Sequence, residues 1–147
     1  MMTPSKPGYL PDVNLLLALN DRDHACHAPA KQWFAAIGPS RFFLCSVTES
    51  GFVRLTVSPH LARASMPVAM AMLRQIADLP NCGFLPMDQP WLELVSPISN
   101  RLHGYRQVTD ALLLGLAIRN GAILVTLDRR IQALAGEAYA ANLLTLA

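Results

Sequence analysis

The feature that most limits the fold of this chain is an alternation of short apolar runs with longer stretches of helical pattern, which continues from Tyr9 to the end. This order of segments is typical of an α/β domain with a mostly parallel sheet flanked by helices. Pro11 is unfavourable inside a strand, so the first strand is expected to be short or bent. The predicted strands are Tyr9–Asp12, RFFLC (41–45), CGFLP (82–86), AILVT (122–126) and NLLTL (142–146).

Capping residues and prolines mark the helices between these strands. Asp23 is a possible cap for a helix over His24–Ile37, where Pro29 falls about one turn in and is expected to bend the helix. Gly121 closes the strongest helical pattern of the chain. The other predicted helices are VNLLLALN (13–20), Ser46–Thr56, Pro67–Ala77, one from Asp88 that Pro97 limits, Thr109–Asn120 and a short one from Asp128.

Length and composition favour one domain that has a partner. The 147 residues suit a single core, and we expect residues 1–8 to be a tail and 9–147 to be one domain. Hydrophobic residues make up 52% and charged residues 15%, whereas soluble domains usually carry about 25% charged residues. The apolar excess predicts either a large core or a surface that a partner covers. The second alternative favours a homodimer or a tight complex. The net charge of +2 permits nucleic-acid binding without requiring it.

Membrane insertion and secretion are not expected. The longest apolar run, Ala111–Ile118, is far shorter than the 20 or so residues of a spanning helix. The first residues lack the apolar core of a secretory signal. Cys26, Cys45 and Cys82 are odd in number and lack metal-ligand spacing, so we interpret them as free thiols in a reducing, cytoplasmic setting.

Four of the ten acidic residues fall at one kind of place. Asp12 ends the first predicted strand, Glu49 lies in the helix after the second, Asp110 begins the strongest helix, and Asp128 follows AILVT. Ligands of parallel sheets bind outside the carboxyl ends of the strands, so these acids could share one pocket. Clustered carboxylates repel one another, and a hard divalent cation such as Mg²⁺ relieves the repulsion. Two ions about 3.5–4 Å apart can activate water for attack on a phosphodiester.

Each acid also has a structural interpretation. Asp110 could complement the dipole of its helix, and Asp128 could cap the helix that follows it. Ser46 and Glu49 have the spacing of a capping box, and Asp12 could be a turn residue. Position alone leaves both interpretations open.

At these acids the chain resembles the VapC-type toxins of the PIN-domain family from Tyr9 onwards. The matching segments are LPDVNLLLAL, HACHAPAKQWF, CSVTESGFVRL, VTDALLLGLAIRNGAILVT and TLDRR. The resemblance implies a PIN-like fold, an endoribonuclease that depends on Mg²⁺ or Mn²⁺, and a cognate small antitoxin of the VapB kind. It implies that Asp12 and Asp110 are the principal metal ligands, with Glu49 and Asp128 as the other catalytic acids and metal ligands. It implies supporting roles for Asn14 and Thr126.

Further residues of the chain are candidates for binding, and other functions stand as alternatives to a toxin. His24 and His27 share a helix face but lack a third zinc ligand, so packing at the helix start or contact with RNA phosphate is expected. Some arginines near the acids should face the RNA; the candidates are Arg22, Arg54, Arg106, Arg129 and Arg130. Alternative functions are a housekeeping PIN nuclease without an antitoxin and a catalytically silent PIN-like binding module. A phosphorylated receiver domain needs a late lysine, and the only lysines are Lys6 and Lys31.

Overall fold

The computed structural model describes residues 6–61 and 63–146 and contains one five-stranded sheet. The strands are β1 (Tyr9–Pro11), β2 (Phe42–Leu44), β3 (Cys82–Phe84), β4 (Ile123–Thr126) and β5 (Leu143–Thr145). They lie in the order β3-β2-β1-β4-β5, and every pairing is parallel. The α/β prediction is confirmed, and all five strands fall inside the apolar runs that predicted them. Residues 1–5 of the expected tail lie outside the described residues.

Seven α-helices connect and cover the strands in the described part of the chain. They are α1 (Val13–Asn20), α2 (His27–Ile37), α3 (Ser46–Thr56), α4 (Met66–Ala77), α5 (Trp91–Val95), α6 (Val108–Arg119) and α7 (Gln132–Ala135). Short 3-10 helices cover Ser96–Arg101, Tyr105–Gln107, Arg129–Ile131 and Ala140–Asn142. No helix within residues 6–61 and 63–146 is both long enough and apolar enough to span a bilayer.

Two predicted helix starts were wrong. The second helix begins at His27 rather than His24, and Asp23 does not cap it, because its N-cap residue is Cys26. Pro29 therefore falls in the first turn, where its missing N–H would have had no partner inside the helix. Likewise Pro90, not Asp88, precedes α5, and the chain continues through Pro97 as a 3-10 helix.

The sheet separates two apolar cores because successive strand residues point to opposite faces. Leu10 and Leu124 pack with α5, α6 and α7, whereas Phe42 and Val125 pack with α1, α2 and α3. Both cores include fully buried side chains, among them Leu114 on one face and Phe52 on the other. The result is a three-layer arrangement in which the carboxyl ends of β1 and β4 are held side by side.

Pro11 lies on the central strand β1 without a loss of pairing to β4. The Pro11 residue is in register with Val125, and the amide of Asp12 donates to the carbonyl of Val125 at 3.0 Å. On the other side, β1 pairs with β2 only at Tyr9 and Phe42. The missing N–H of Pro11 falls where that pairing has ended, so a proline is tolerated at this central position.

Candidate metal centre

The end of β1 and the end of β4 carry the innermost part of the candidate site. Asp12 follows β1 directly and is only 7% exposed. Thr126 ends the neighbouring strand and is fully buried. The Thr126 hydroxyl donates to Oδ2 of Asp12 at 2.5 Å and accepts from the amide of Asp128 at 3.0 Å. One hydroxyl group therefore fixes the positions of both aspartates at the carboxyl edge of the sheet.

Asp12 is held in a setting that disfavours its charge. It is the N-cap of α1, and its Oδ1 accepts from the amide of Leu15 at 2.9 Å. Burial raises the pKa of Asp12 to about 6 from 3.8, against the lowering effect of its hydrogen bonds to Thr126 and Leu15. The charges of Asp110 and Asp128 add to the rise. An N-cap carboxylate is ordinarily stabilised in its charged form, so at Asp12 the loss of solvent outweighs the effect of the capping hydrogen bond.

Asp110 lies in the first turn of α6 and is half-buried. Burial raises the pKa of Asp110, the carboxylate of Asp128 raises it further, and the guanidinium of Arg130 lowers it. The helix N-terminus that Asp110 occupies would by itself stabilise its charged form. The pKa shift has the opposite direction because loss of solvent, as the larger cause, and the carboxylate of Asp128 outweigh the effect of the helix N-terminus.

The negative charge of Asp128 is paired with an arginine of its own turn. It is the N-cap of the 3-10 helix that begins at Arg129, as the sequence suggested, and its Oδ1 accepts from the amide of Arg130 at 2.9 Å. The Arg130 guanidinium also binds the carboxylate, with Nε 3.0 Å from Oδ1 and Nη2 2.9 Å from Oδ2. These hydrogen bonds lower the pKa of Asp128. The guanidinium thus takes the place that a cation would take on this carboxylate.

A cavity of about 110 Å³ adjoins these groups. It is lined by Asp110 and Asp128 together with Arg106, Gln107, Arg130, Ile131 and Leu134. Of the five arginines expected near the acids, Arg106 and Arg130 line this cavity. Arg54 lines a neighbouring one of about 330 Å³ beside Val13, Gly51 and Thr109. The cations are therefore distributed around the rim of the acidic site.

Glu49 is not brought into the same electrostatic group as the three aspartates. Burial is the main cause that raises the pKa of Cys82, at the start of β3, to about 11, and the charge of Glu49 adds to this rise. Gly51 is the residue of α3 that faces α1, since a Cβ added there would overlap Val13. Two residues correspond to about 200° of helix rotation, so Glu49 lies on the other side of α3. Its role as a metal ligand stays a prediction.

The capping-box interpretation of Ser46 and Glu49 was wrong. The N-cap of α3 is Cys45, and the partner that closes the box is Thr48. The Thr48 hydroxyl accepts from the amide of Cys45 at 3.0 Å and donates to its carbonyl at 3.0 Å. The box has the predicted spacing of three residues, but it begins one residue earlier, at Cys45. Thr48 takes the place usually occupied by Glu or Gln.

Asn14 and the two histidines lie outside the acidic cavity. Asn14 is exposed and lines, with His24 and residues of α3 and α4, a separate cavity of about 240 Å³. The ring of His24 accepts from the amide of Cys26 at 3.0 Å, and Nδ1 of His27 lies 2.7 Å from the carbonyl of Ala18. Both histidines thus serve the start of α2, which is one of the two roles expected for them.

The donor set fits a divalent cation that keeps part of its water shell. Asp12, Asp110 and Asp128 offer only carboxylate oxygens, and each oxygen of Asp12 accepts one hydrogen bond and keeps a lone pair free. Across residues 6–61 and 63–146, no three His, Cys, Asp or Glu side chains are close enough to hold one ion by themselves. Mg²⁺ is usually bound by one or two carboxylates plus waters, which matches this arrangement.

This chain is similar to known proteins over most of its length. The family model of the PIN domain matches residues 9–137. Ribonuclease VapC38 of Mycobacterium tuberculosis is 40% identical over 129 residues, which cover 86% of this chain and 89% of the relative. Ribonuclease VapC39 of the same organism is 34% identical over 119 residues, 80% of this chain and 86% of the relative. Ribonuclease VapC44 is 34% identical over 126 residues, 82% and 85% of the two chains.

Proposed function

Because this chain belongs to the PIN-domain family, we propose that it is a metal-dependent endoribonuclease that acts as the toxin of a toxin–antitoxin pair. The family match and the similarity to ribonucleases named VapC confirm the resemblance of its sequence segments. The observation that carries the proposed chemistry is that the charges of Asp110 and Asp128 raise the pKa of Asp12, and that of Asp128 raises the pKa of Asp110, at the carboxyl edge of the sheet. The hydrogen bonds of the Thr126 hydroxyl to the Asp12 carboxylate and to the backbone amide of Asp128 support it further.

In this proposal Asp12, Asp110 and Asp128 hold Mg²⁺ or Mn²⁺, with Glu49 as an outer fourth acid. The metal ions would lower the pKa of water at the site and neutralise the charge that develops on the phosphate. Thr126 keeps Asp12 in one rotamer by its short hydrogen bond, so the carboxylate does not have to be ordered during the reaction. Arg106 and Arg130 bind phosphate oxygens of the RNA at the rim of the cavity.

Hydrolysis by attack of water on phosphorus requires no participation of the RNA 2′-hydroxyl. The O3′–P bond breaks, the 3′ oxygen takes up a proton, and the products carry a 5′-phosphate and a 3′-hydroxyl. Ends with a 2′,3′-cyclic phosphate would instead indicate general acid–base catalysis by histidine. His24 and His27, which hydrogen-bond to the backbone around α2, are then the residues to test.

The decisive experiment is digestion of total RNA by the purified protein with Mg²⁺, with Mn²⁺ and with EDTA, followed by sequencing of the cut ends. Asp12→Asn and Asp110→Asn should abolish cleavage with unchanged circular dichroism. Asp88→Asn, which removes an exposed acid that neither lines the cavity nor contributes to the pKa shifts of the three aspartates, should cleave as wild type does. Full activity of Asp110→Asn, or cleavage in EDTA, would overturn the metal-site assignment.

The proposed partner is a small antitoxin whose amphipathic helix covers an apolar surface and whose arginine reaches the acids. Its support is the hydrophobic content of 52% and the exposure of large apolar side chains such as Met66 and Met70 on α4. A bidentate guanidinium on a carboxylate is already seen within this chain, between Arg130 and Asp128. We also propose that the protein forms a homodimer, which light scattering can measure, and acts in the cytoplasm, where its three free thiols persist.

Expression in a bacterial host separates this proposal from a housekeeping nuclease. The chain alone should arrest growth, and co-expression with the small protein encoded beside it should relieve the arrest. The purified complex should be inactive until the partner is removed. A chain that cleaves RNA in vitro, leaves its host unaffected and binds no product of a neighbouring gene would favour the housekeeping nuclease.

A further inference from the structure

Tyr105 is a large aromatic residue that the fold leaves 82% exposed beside the acidic cavity. It begins the 3-10 helix Tyr105–Gln107, which leads directly into α6 and so stands five residues before Asp110. Its neighbour Arg106 lines the cavity that Asp110 and Asp128 also line. An aromatic ring is thus displayed at the rim of the site where a phosphodiester would be cut.

The ring of Tyr105 is oriented by the same arginine. The Arg106 guanidinium carbon lies 5.7 Å from the centroid of the Tyr105 ring, and Nε donates to the Tyr105 hydroxyl at 3.2 Å. The contact therefore links an aromatic surface to a cation that lines the same cavity as Asp110 and Asp128. A guanidinium and an aromatic ring in contact form a platform for both the phosphate and the base of a nucleotide.

A single exposed aromatic residue needs no explanation by itself. Tyr105, however, is not among the described residues that pack against either apolar core. Leu92 of α5 is comparably exposed, at 76%, but its neighbour Glu93 lies within 4.0 Å of Arg119 at the far end of α6. Tyr105 is distinguished by the combination of its exposure, its contact with Arg106, which lines the acidic cavity, and its position five residues before Asp110.

We propose that Tyr105 is the base-stacking residue of this nuclease, on which an unpaired base of the RNA lies while Arg106 holds a neighbouring phosphate. The inference rests on the proposed function and adds the form of RNA that the site accepts. Paired bases have no free face to offer, so the substrate must be single-stranded at this position. Stacking uses a surface that all four bases have, so Tyr105 favours single strands without selecting one base.

The test is binding of a fluorescently labelled, mixed-sequence single-stranded oligoribonucleotide in EDTA, which suppresses cleavage. Tyr105→Ala should weaken binding about tenfold, as expected for loss of one base–aromatic stack. Tyr105→Phe should stay within about twofold of wild type, because it keeps the ring. Leu92→Ala is the matched control and should bind as wild type does. Thermal unfolding of each variant checks that the fold is unchanged.

Two further probes separate stacking from charge. An oligonucleotide with abasic sites and a duplex of the same sequence should bind Tyr105→Ala and wild type equally. Tyr105→Trp should bind the single strand normally, and its added fluorescence, after subtraction of the wild-type signal, should be quenched on binding. In cleavage assays with metal, Tyr105→Ala should raise KM and leave kcat nearly unchanged.

The outcomes distinguish this inference from the proposed function. A wild-type protein that neither binds nor cleaves RNA would overturn both. A wild-type protein that cleaves RNA, together with a Tyr105→Ala variant of equal affinity, would overturn only the stacking role. An equal loss of affinity for the abasic strand would also overturn it, because the effect would then come from displacement of Arg106.

Discussion

The raised pKa of Asp12 makes a quantitative prediction about the protein without metal. The unfolded chain ionises this carboxyl near 3.8, whereas the folded chain keeps its proton until about pH 6. The stability that the protonated form provides is complete below pH 3.8 and is lost as the pH rises through 6. Each pH unit of that interval lowers the free energy of unfolding by about 1.4 kcal/mol, so the total loss is about 3 kcal/mol.

Asp12→Asn removes this loss with little change in packing. The amide oxygen can still accept from the Leu15 amide, and the Thr126 hydroxyl can accept from the amide nitrogen. In EDTA at pH 8 the variant should be about 3 kcal/mol more stable than wild type, or roughly 6–12 °C higher in Tm at about 2–4 °C per kcal/mol for a chain of this size. Near pH 4 the two proteins should unfold at nearly the same temperature.

The assay is thermal and urea unfolding of both proteins from pH 4 to pH 8 in EDTA, with Asp88→Asn as the control for loss of one negative charge. Added Mn²⁺ should raise the Tm of wild type more than that of Asp12→Asn, because a ligand that binds the folded state adds stability that grows with the logarithm of its affinity. Equal stability of variant and wild type at pH 8, or a difference that persists at pH 4, would refute the reasoning.

Three further variants test separate contacts. Glu49→Gln should reduce cleavage less than Asp110→Asn does, because its charge acts on Cys82 rather than on the aspartates; an equal loss in an RNA cleavage assay would contradict this. Gly115→Ala should lower the free energy of unfolding, measured by urea denaturation, by about 3 kcal/mol, because the added Cβ would overlap the carbonyl oxygen of Leu94. Gly104→Ala is the control and should be neutral, because a Cβ at that position meets no atom within 4 Å. Arg130→Met should tighten Mn²⁺ binding measured by calorimetry, because it frees the Asp128 carboxylate; Arg129→Met is the control, and unchanged affinity would show that the ion pair does not compete.

The elements with strong local signals were predictable. The limits of α3 and the end of α6 agree because Ser46 begins a helical pattern and Gly121, with a φ of 62°, ends one. The start of α2 was missed because the preceding loop uses its own side chains. Asp21 accepts from the amide of Asp23, and His24 accepts from that of Cys26. Such local bonds compete with helix formation and are not visible in hydrophobic periodicity.

The candidate site was predictable in part for a similar reason. The parallel sheet brings the ends of β1 and β4 together, so the meeting of Asp12 with Thr126 follows from topology. The side of α3 that faces α1 depends on the close approach of Val13 to Gly51, which spacing along the chain does not reveal. The partners of Asp128 and Tyr105 depend on rotamers of Arg130 and Arg106 within tight 3-10 turns. These contacts belong to tertiary structure.

The pairing of β1 with β4 also has a consequence for when the protein becomes active. The Thr126–Asp12 hydrogen bond joins residues separated by 114 positions, and Asp110 and Asp128 come from the same late part of the chain. During synthesis, Asp12 is made about a hundred residues before Asp110, Thr126 and Asp128. A nascent chain that has not yet reached Asp128 therefore lacks the assembled site, and the proposed activity can begin only after this part of the chain has been made and has folded against β1.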